Sequence, residues 1–165
     1  LLYLPLIVPQ TAFLTGLSTL ALSLGLDGGR LAVGAAHLVF VLPYVFLSLS
    51  DPWRAWDGRY ATVAASLGAS SGGRLWRVRL PMMLAPVLTA GAVGFAVSVG
   101  QYLPTLRVGG GRVATLTTEA VALASGGDRR AIGVWALAPA GAAAAPFALA
   151  VLGPPLVWRR RRGMR

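Results

Sequence analysis

Residues 1–26, 80–106 and 131–158 contain no charged side chain, and residues 31–50 contain none beyond His37. Each run reaches the length of about 20 residues that a helix needs to cross a hydrocarbon core of about 30 Å. A water-soluble core of this size would bury one such segment, not four. The composition agrees: 56% of the residues are hydrophobic and 12% charged, where a soluble domain carries about 25% charged residues. The expected fold class is all-α, a polytopic helical membrane protein of about four transmembrane helices in a single domain over 1–165. The helices are expected at about 3–26, 31–50, 81–105 and 131–157, with a charged loop at 51–80. The chain opens inside an apolar run, without Met, a basic leader or a small-residue cleavage site. This argues against a signal peptide and creates the expectation that further helices precede it.

All fifteen basic residues are Arg, and the net charge is +10. Nucleic acid is an unsuitable partner, because the arginines flank apolar runs rather than lining a soluble face. They bear on orientation instead. Arg54, Arg59, Arg74, Arg77 and Arg79 lie in the 51–79 segment, and Arg159, Arg160, Arg161, Arg162 and Arg165 in the tail. The alternate segments hold Arg30, Arg107, Arg112, Arg129 and Arg130. Arginine excess marks the cytoplasmic side, so the central loop and the C-terminus are expected in the cytoplasm. Cysteine is absent, which excludes a disulfide framework, a thiol nucleophile and a cysteine metal site.

The runs are rich in Pro, Gly and Ala. Pro5 and Pro9 fall in the first, Pro43 in the second, Pro86 in the third, Pro139 and Pro146 in the fourth. Small residues let helix backbones approach closely in lipid, and proline suggests kinks whose freed carbonyls find other partners.

The stretch "SLGASSGGRLWRVRLP" at 66–81 is unusual between two such runs. Asp57 is placed to cap a helix starting near Arg59. Ala61, Ala64, Ala65 and Gly68 then share one helical face, and that face is small. Such a stripe suits close approach by another protein. Gly68, or the pair Gly72–Gly73, is placed to end the helix, and Leu80–Pro81 to open the next one. The expected device is a short helix beside the membrane with its small face turned outward.

These residues resemble the cytoplasmic EAA loop of binding-protein-dependent ABC importer permeases, the type I or MetI-like family. That motif runs Glu-Ala-Ala, three residues, Gly, nine residues, Ile, one residue, Leu-Pro. Gly68, residues 69–77, Val78 and Leu80–Pro81 fit it without a gap. Thr62, Val63 and Ala64 stand at the Glu-Ala-Ala positions, so the acid is replaced by Thr62. "LPLIVPQTAFLTGL", "AHLVFVLPYVFLSL" and the segment from Val97 to Arg130 resemble further parts of such permeases, especially the C-terminal half of the fused iron, thiamine and YnjC-like group. The resemblance implies a permease subunit that forms the transmembrane pathway of a bacterial inner-membrane importer. It implies three protein partners, namely an ABC ATPase subunit, a second permease half and a substrate-binding protein, together with membrane lipid. It implies no cofactor, no metal and no catalysis of its own. The loop would be the coupling helix seated on the ATPase, with Ala61, Thr62, Ala64, Ala65, Gly68 and Ala69 as contact candidates.

Other polar residues invite a role. His37 lies within an apolar run, where ionisable groups usually face the bundle interior. A neutral ring bonded to a neighbouring helix is the simpler reading, and contact with cargo is the alternative. Ser98, Gln101 and Tyr102 are further candidates for lining a pathway. The glycines 109–111 lack the frame of a nucleotide loop and read as a turn outside the membrane. Residues 115–124 read as a short outer helix with Glu119 in its first turn, where the dipole favours an acid. A secondary transporter without an ATPase partner is the alternative function. It would place acids within the membrane, yet all five acidic residues fall outside the runs. A membrane-embedded enzyme would need a nucleophile–base pair or metal ligands, and one His among apolar runs supplies neither.

Overall fold

The structure is a computed structural model describing residues 1–26, 28–126 and 129–157. The described residues are mostly helical, with no strand among them. The arginines after Trp158, and Asp27 and Asp128, lie outside the described residues.

Two helices are long and apolar enough to span a membrane. They are α3 (Arg30–Ala55) and the central part, Ile132–Pro154, of α10 (Arg129–Val157). A third span is available only as a bent pair, Ser71–Met82 followed by Leu84–Val99, with an angle of 72° at the break. The membrane-protein class expected from the sequence is therefore the observed one, with two to three spans among the described residues in place of about four.

Proline position explains most of the difference. Where the sequence suggests one helix over 3–26, the chain forms α1 (Leu4–Ile7) and α2 (Gln10–Ser23). Pro9 offers no N–H to the preceding turn, and its ring crowds that turn's carbonyl. Where the sequence suggests one helix over 81–105, the chain forms α7 (Leu84–Val99) and α8 (Tyr102–Gly109). Pro104 cannot bond the Gly100 carbonyl, which instead accepts the Tyr102 N–H at 2.9 Å. Gln101, with φ −78° and ψ 73°, is the centre of the resulting inverse γ-turn. Pro43, Pro139 and Pro146 do not end their helices. A single lost ladder bond is tolerated there, and α3 continues five residues past its apolar run to Ala55.

The core is built of small side chains. α3 packs on α7 and α8, and α10 packs on α7 and on α9 (Leu116–Ser125). Ala32, Ala36 and Val108 form its centre, with Leu17 and Ala21 of α2 against them. A Cβ at Gly94 would come within 2.6 Å of Val45 and 3.1 Å of Val41. Glycine there sets how closely α3 and α7 approach. Gly110 and Gly111, both with positive φ, turn the chain after α8, as the sequence suggests. α9 follows, capped by reciprocal bonds between Thr115 and Thr118, with Glu119 in its first turn. The Thr117 hydroxyl donates to the Val99 carbonyl, which ties α9 to the end of α7.

Candidate functional site

The loop between α3 and α7 folds into a short helix followed by a reentry through short helical turns. α4 (Arg59–Ser66) starts after Gly58. The Asp57 carboxylate accepts the Arg59 N–H at 2.9 Å, so the expected capping group acts from one residue before the cap position. The helix stops at Gly68, whose φ is +81°. The Ala69 N–H reaches the Ala64 carbonyl at 3.0 Å and the Gly68 N–H the Ala65 carbonyl at 2.9 Å. That pair of bonds is a Schellman stop, and its left-handed residue favours glycine. Gly68 therefore has a backbone role. A Cβ there would meet nothing within 4 Å.

Ser70 then caps α5 (Ser71–Arg74), its hydroxyl accepting the Gly73 N–H at 3.2 Å. A π-turn, Leu75–Arg79, leads into α6 (Leu80–Met82). The wider turn shifts the ladder just before Pro81, which could not join a regular one. Pro86 removes the next bond, and the chain bends at Met83 before α7.

Arg79 holds this reentry to the end of α3. Its guanidinium lies 3.5 Å from the Trp53 ring centroid and 4.8 Å from that of Trp56. It also donates to the Trp53 carbonyl at 3.1 Å. A cation beside the last carbonyls of a helix is favoured by the dipole, and stacking on Trp adds to it. Arg79 Nε and Trp56 Nε1 are buried without a hydrogen-bond partner. Nothing in the spacing pattern of the loop points to this clamp. Two Trp residues three apart, followed by an unpaired Arg at the next run, are the signal that would have found it.

The small face of α4 is not simply outward, as the sequence suggests. Ala61, Ala64 and Ala69 are half-buried, while Thr62, Ala65 and Gly68 are exposed. α4 rests on α5 and the π-turn, and small residues permit that close approach, so part of the stripe serves the loop itself. The large apolar side chains are the exposed ones: Val63 is 59% exposed, Leu67 82% and Trp76 71%. Val63, Leu67 and Tyr60 border a groove of about 520 Å³ with Ala64 and Val78.

Within the bundle the structure brings His37 and Ser98 together and adds Thr105, which sequence reasoning missed. His37 Nδ1 lies 2.9 Å from Ser98 Oγ, and Nε2 lies 2.8 Å from Thr105 Oγ1. Thr105 is 1% exposed and donates its proton to the Gln101 carbonyl at 2.5 Å. It must then accept from His37 Nε2–H. In the neutral ring this leaves Nδ1 to accept from Ser98. One side chain of α3 thus pins α7 and α8 on either side of their break. Gln101 is buried at that break, and Tyr102 opens α8 beside it, half-buried. Among the described residues no group of His, Asp and Glu is placed to hold a metal ion.

No family model and no solved structure matches the chain. It is 43% identical over 164 residues to the inner membrane ABC transporter permease protein YnjC of Escherichia coli, covering 99% of this chain and 32% of that protein. It is 40% identical over 81 residues to the molybdenum transport system permease protein ModB of Mycobacterium tuberculosis, which is 49% of this chain and 31% of that one. A spermidine/putrescine transport system permease protein PotC of Haemophilus influenzae is 26% identical over 110 residues, 67% of this chain and 43% of that protein. The chain thus spans about a third of the length of the first two relatives and less than half of the third. Along nearly its whole length, this chain is a homologue of ABC transporter permeases.

Proposed function

We propose that the chain is part of the permease subunit of an ABC importer, and that its 57–81 loop transmits movement from a separate ATPase subunit to the spans. The observation that carries this is the loop itself. A short helix with exposed Val63 and Leu67 and a fixed glycine stop is joined through Arg79 to the end of span α3. Exposed apolar side chains on a rigid element need a protein surface to cover them. A helix tied to a span by stacking moves with it, where a polar coil would absorb the displacement. ABC permease names among the relatives support the same reading. In this reading Thr62, Ala65 and Gly68 join Val63 and Leu67 at the contact, and Ala61, Ala64 and Ala69 set the helix on its base. A second permease half and a substrate-binding protein complete the transporter. The loop lies on the cytoplasmic side of the inner membrane with the C-terminus, as the arginine excess indicates. His37, Ser98, Gln101 and Tyr102 surround the helix break beside the pathway. The chain contributes no catalysis of its own.

The test is co-purification of the ATPase with the tagged full-length permease from membranes. Leu67→Glu places a carboxylate in the proposed contact and should cut recovery of the ATPase about tenfold or more, since an unpaired interfacial charge is costly. Permease content of the membrane should be unchanged. Undiminished recovery would remove the loop from the contact.

A further inference from the structure

A groove of about 430 Å³ runs along α3 toward the end of the helix at Ala55. Leu42, Val45, Phe46 and Leu49 line it. Their spacing of three, four and seven residues puts them in one stripe of the helix. Leu2, ahead of α1, lines it as well. From Leu42 to Trp53 the stripe rises about 17 Å, close to the roughly 15 Å depth of one hydrocarbon leaflet.

The polar groups gather at one end of this groove. Ser50, Trp53 and Arg54 line its last turn, and among the described residues no acidic side chain lines it. The Ser50 hydroxyl donates to the Leu47 carbonyl at 3.1 Å, so its proton is already bonded. Arg54 is exposed and makes no ion pair among the described residues, although Asp51 stands one turn before it. The Trp53 ring is 39% exposed, and the Arg79 guanidinium lies 3.5 Å from its centroid. A second cation therefore adjoins the same end. Trp rings and long basic side chains collect where hydrocarbon meets headgroups.

We propose that this groove holds an acyl chain of an anionic phospholipid, with the lipid phosphate at Arg54. Two separate features select that occupant. An apolar stripe of leaflet depth on a membrane span suits an acyl chain. An unpaired guanidinium at headgroup level suits a phosphate, which it can bond through two N–H groups. Net charge then decides among headgroups. A zwitterionic lipid brings an ammonium group that Arg54 and Arg79 repel, whereas an anionic lipid brings only negative charge. Each arginine near the surface favours anionic lipid by about fivefold. A polypeptide segment laid over the stripe is the rival occupant, and it would exclude lipid. The proposal goes beyond the transport reading. It needs α3 in a membrane and nothing of the ATPase contact, so either can fail without the other.

The experiment uses the full-length permease in phosphatidylcholine nanodiscs. Each sample carries a trace of phosphatidylglycerol or of phosphatidylcholine with a photoactivatable group on its acyl chain. Crosslinked peptides are mapped by mass spectrometry, and the phosphatidylglycerol-to-phosphatidylcholine labelling ratio is compared along the chain. Residues 42–54 should show a ratio several-fold above that of the other spans. Arg54→Gln, a change at an exposed side chain, should lower that local ratio about fivefold, to the level of the other spans. Arg59→Gln removes an equal charge outside the groove and should leave the ratio unchanged. Absence of lipid label at 42–54 would mean that polypeptide covers the stripe, and it would overturn the proposal. A local ratio no higher than elsewhere, or one that survives Arg54→Gln, would overturn it too. So would an equal fall in Arg59→Gln, which would reduce the effect to general surface charge.

Discussion

His37 and Arg79 are both half-buried polar side chains that tie one helix to another, but their surroundings differ in kind. Both ring nitrogens of His37 are hydrogen-bonded, to Ser98 of α7 and Thr105 of α8. Arg79 makes one hydrogen bond, stacks on two Trp rings and leaves Nε without a partner. Hydrogen bonds are directional, and a close-packed core resists displacement. The stacked guanidinium keeps its Nε buried without a partner. The contrast separates a fully hydrogen-bonded link within the bundle from a stacked link between the loop and the end of α3.

The largest effect that sharpens this contrast is expected at the α3–α7 contact. Gly94→Leu drives a side chain into Val45 and Val41, whose methyl groups lie 2.6 and 3.1 Å from a bare Cβ. It should cost about 3 kcal/mol or more, read as loss of protease-resistant permease from the membrane. Ala65→Leu, an enlargement smaller by one carbon on the exposed loop, should leave that quantity unchanged. Equal losses would end the distinction between bundle and loop.

Next is His37→Leu. It removes two hydrogen bonds and should lower stability by about 2 kcal/mol, seen as a lower unfolding midpoint in nanodiscs. Lost transport at an unchanged midpoint would mean that His37 touches cargo instead.

Arg79→Leu should cost less in stability, about 1 kcal/mol, because the cation–π and hydrogen-bond gains are offset by the burial of an incompletely partnered guanidinium. Its signature is functional. The ATPase should still co-purify, while uptake into proteoliposomes falls several-fold. Arg79→Lys should keep part of that uptake through its remaining charge.

The smallest effect is Gly68→Ala. The φ of +81° makes any Cβ unfavourable by about 1 kcal/mol, without a clash. Faster amide exchange at Ala69, whose N–H closes the stop, would report it. An unaltered rate would show that Gly68 is not needed for the backbone.

Much of this organisation was legible in the sequence because charge-free runs and spaced glycines act locally. The second run became α3, and the 115–124 segment became a capped helix, since Thr115 and Thr118 carry their own hydrogen-bonding partners. The sequence offered Gly68 or the pair Gly72–Gly73 as the helix stop, and Gly68 serves, because a Schellman turn needs only its own neighbours. Breaks at Pro9 and Pro104 were not separated from the tolerated Pro43, Pro139 and Pro146. Whether a proline ends a helix depends on what the freed carbonyl can bond, and that is a matter of packing. Thr105 and Arg79 were missed for a related reason. Their partners lie 68 and 26 residues away, beyond any helical period. The α4 stripe divides, with Ala65 and Gly68 exposed and Ala61 and Ala64 half-buried, because small residues serve an internal contact as readily as an external one.

The central claim, that the 57–81 loop is the seat of an ATPase subunit, is tested most directly by site-specific crosslinking. This stretch contains no cysteine, so single cysteines at Ala65, Leu67 and Gly111 in an otherwise cysteine-free full-length permease report one position each. A short thiol-to-amine crosslinker is applied to membranes that also contain the ATPase. The account predicts a permease–ATPase product from positions 65 and 67 and none from 111. A product from 111 alone, or none from 65 and 67 while the ATPase still co-purifies, would contradict it.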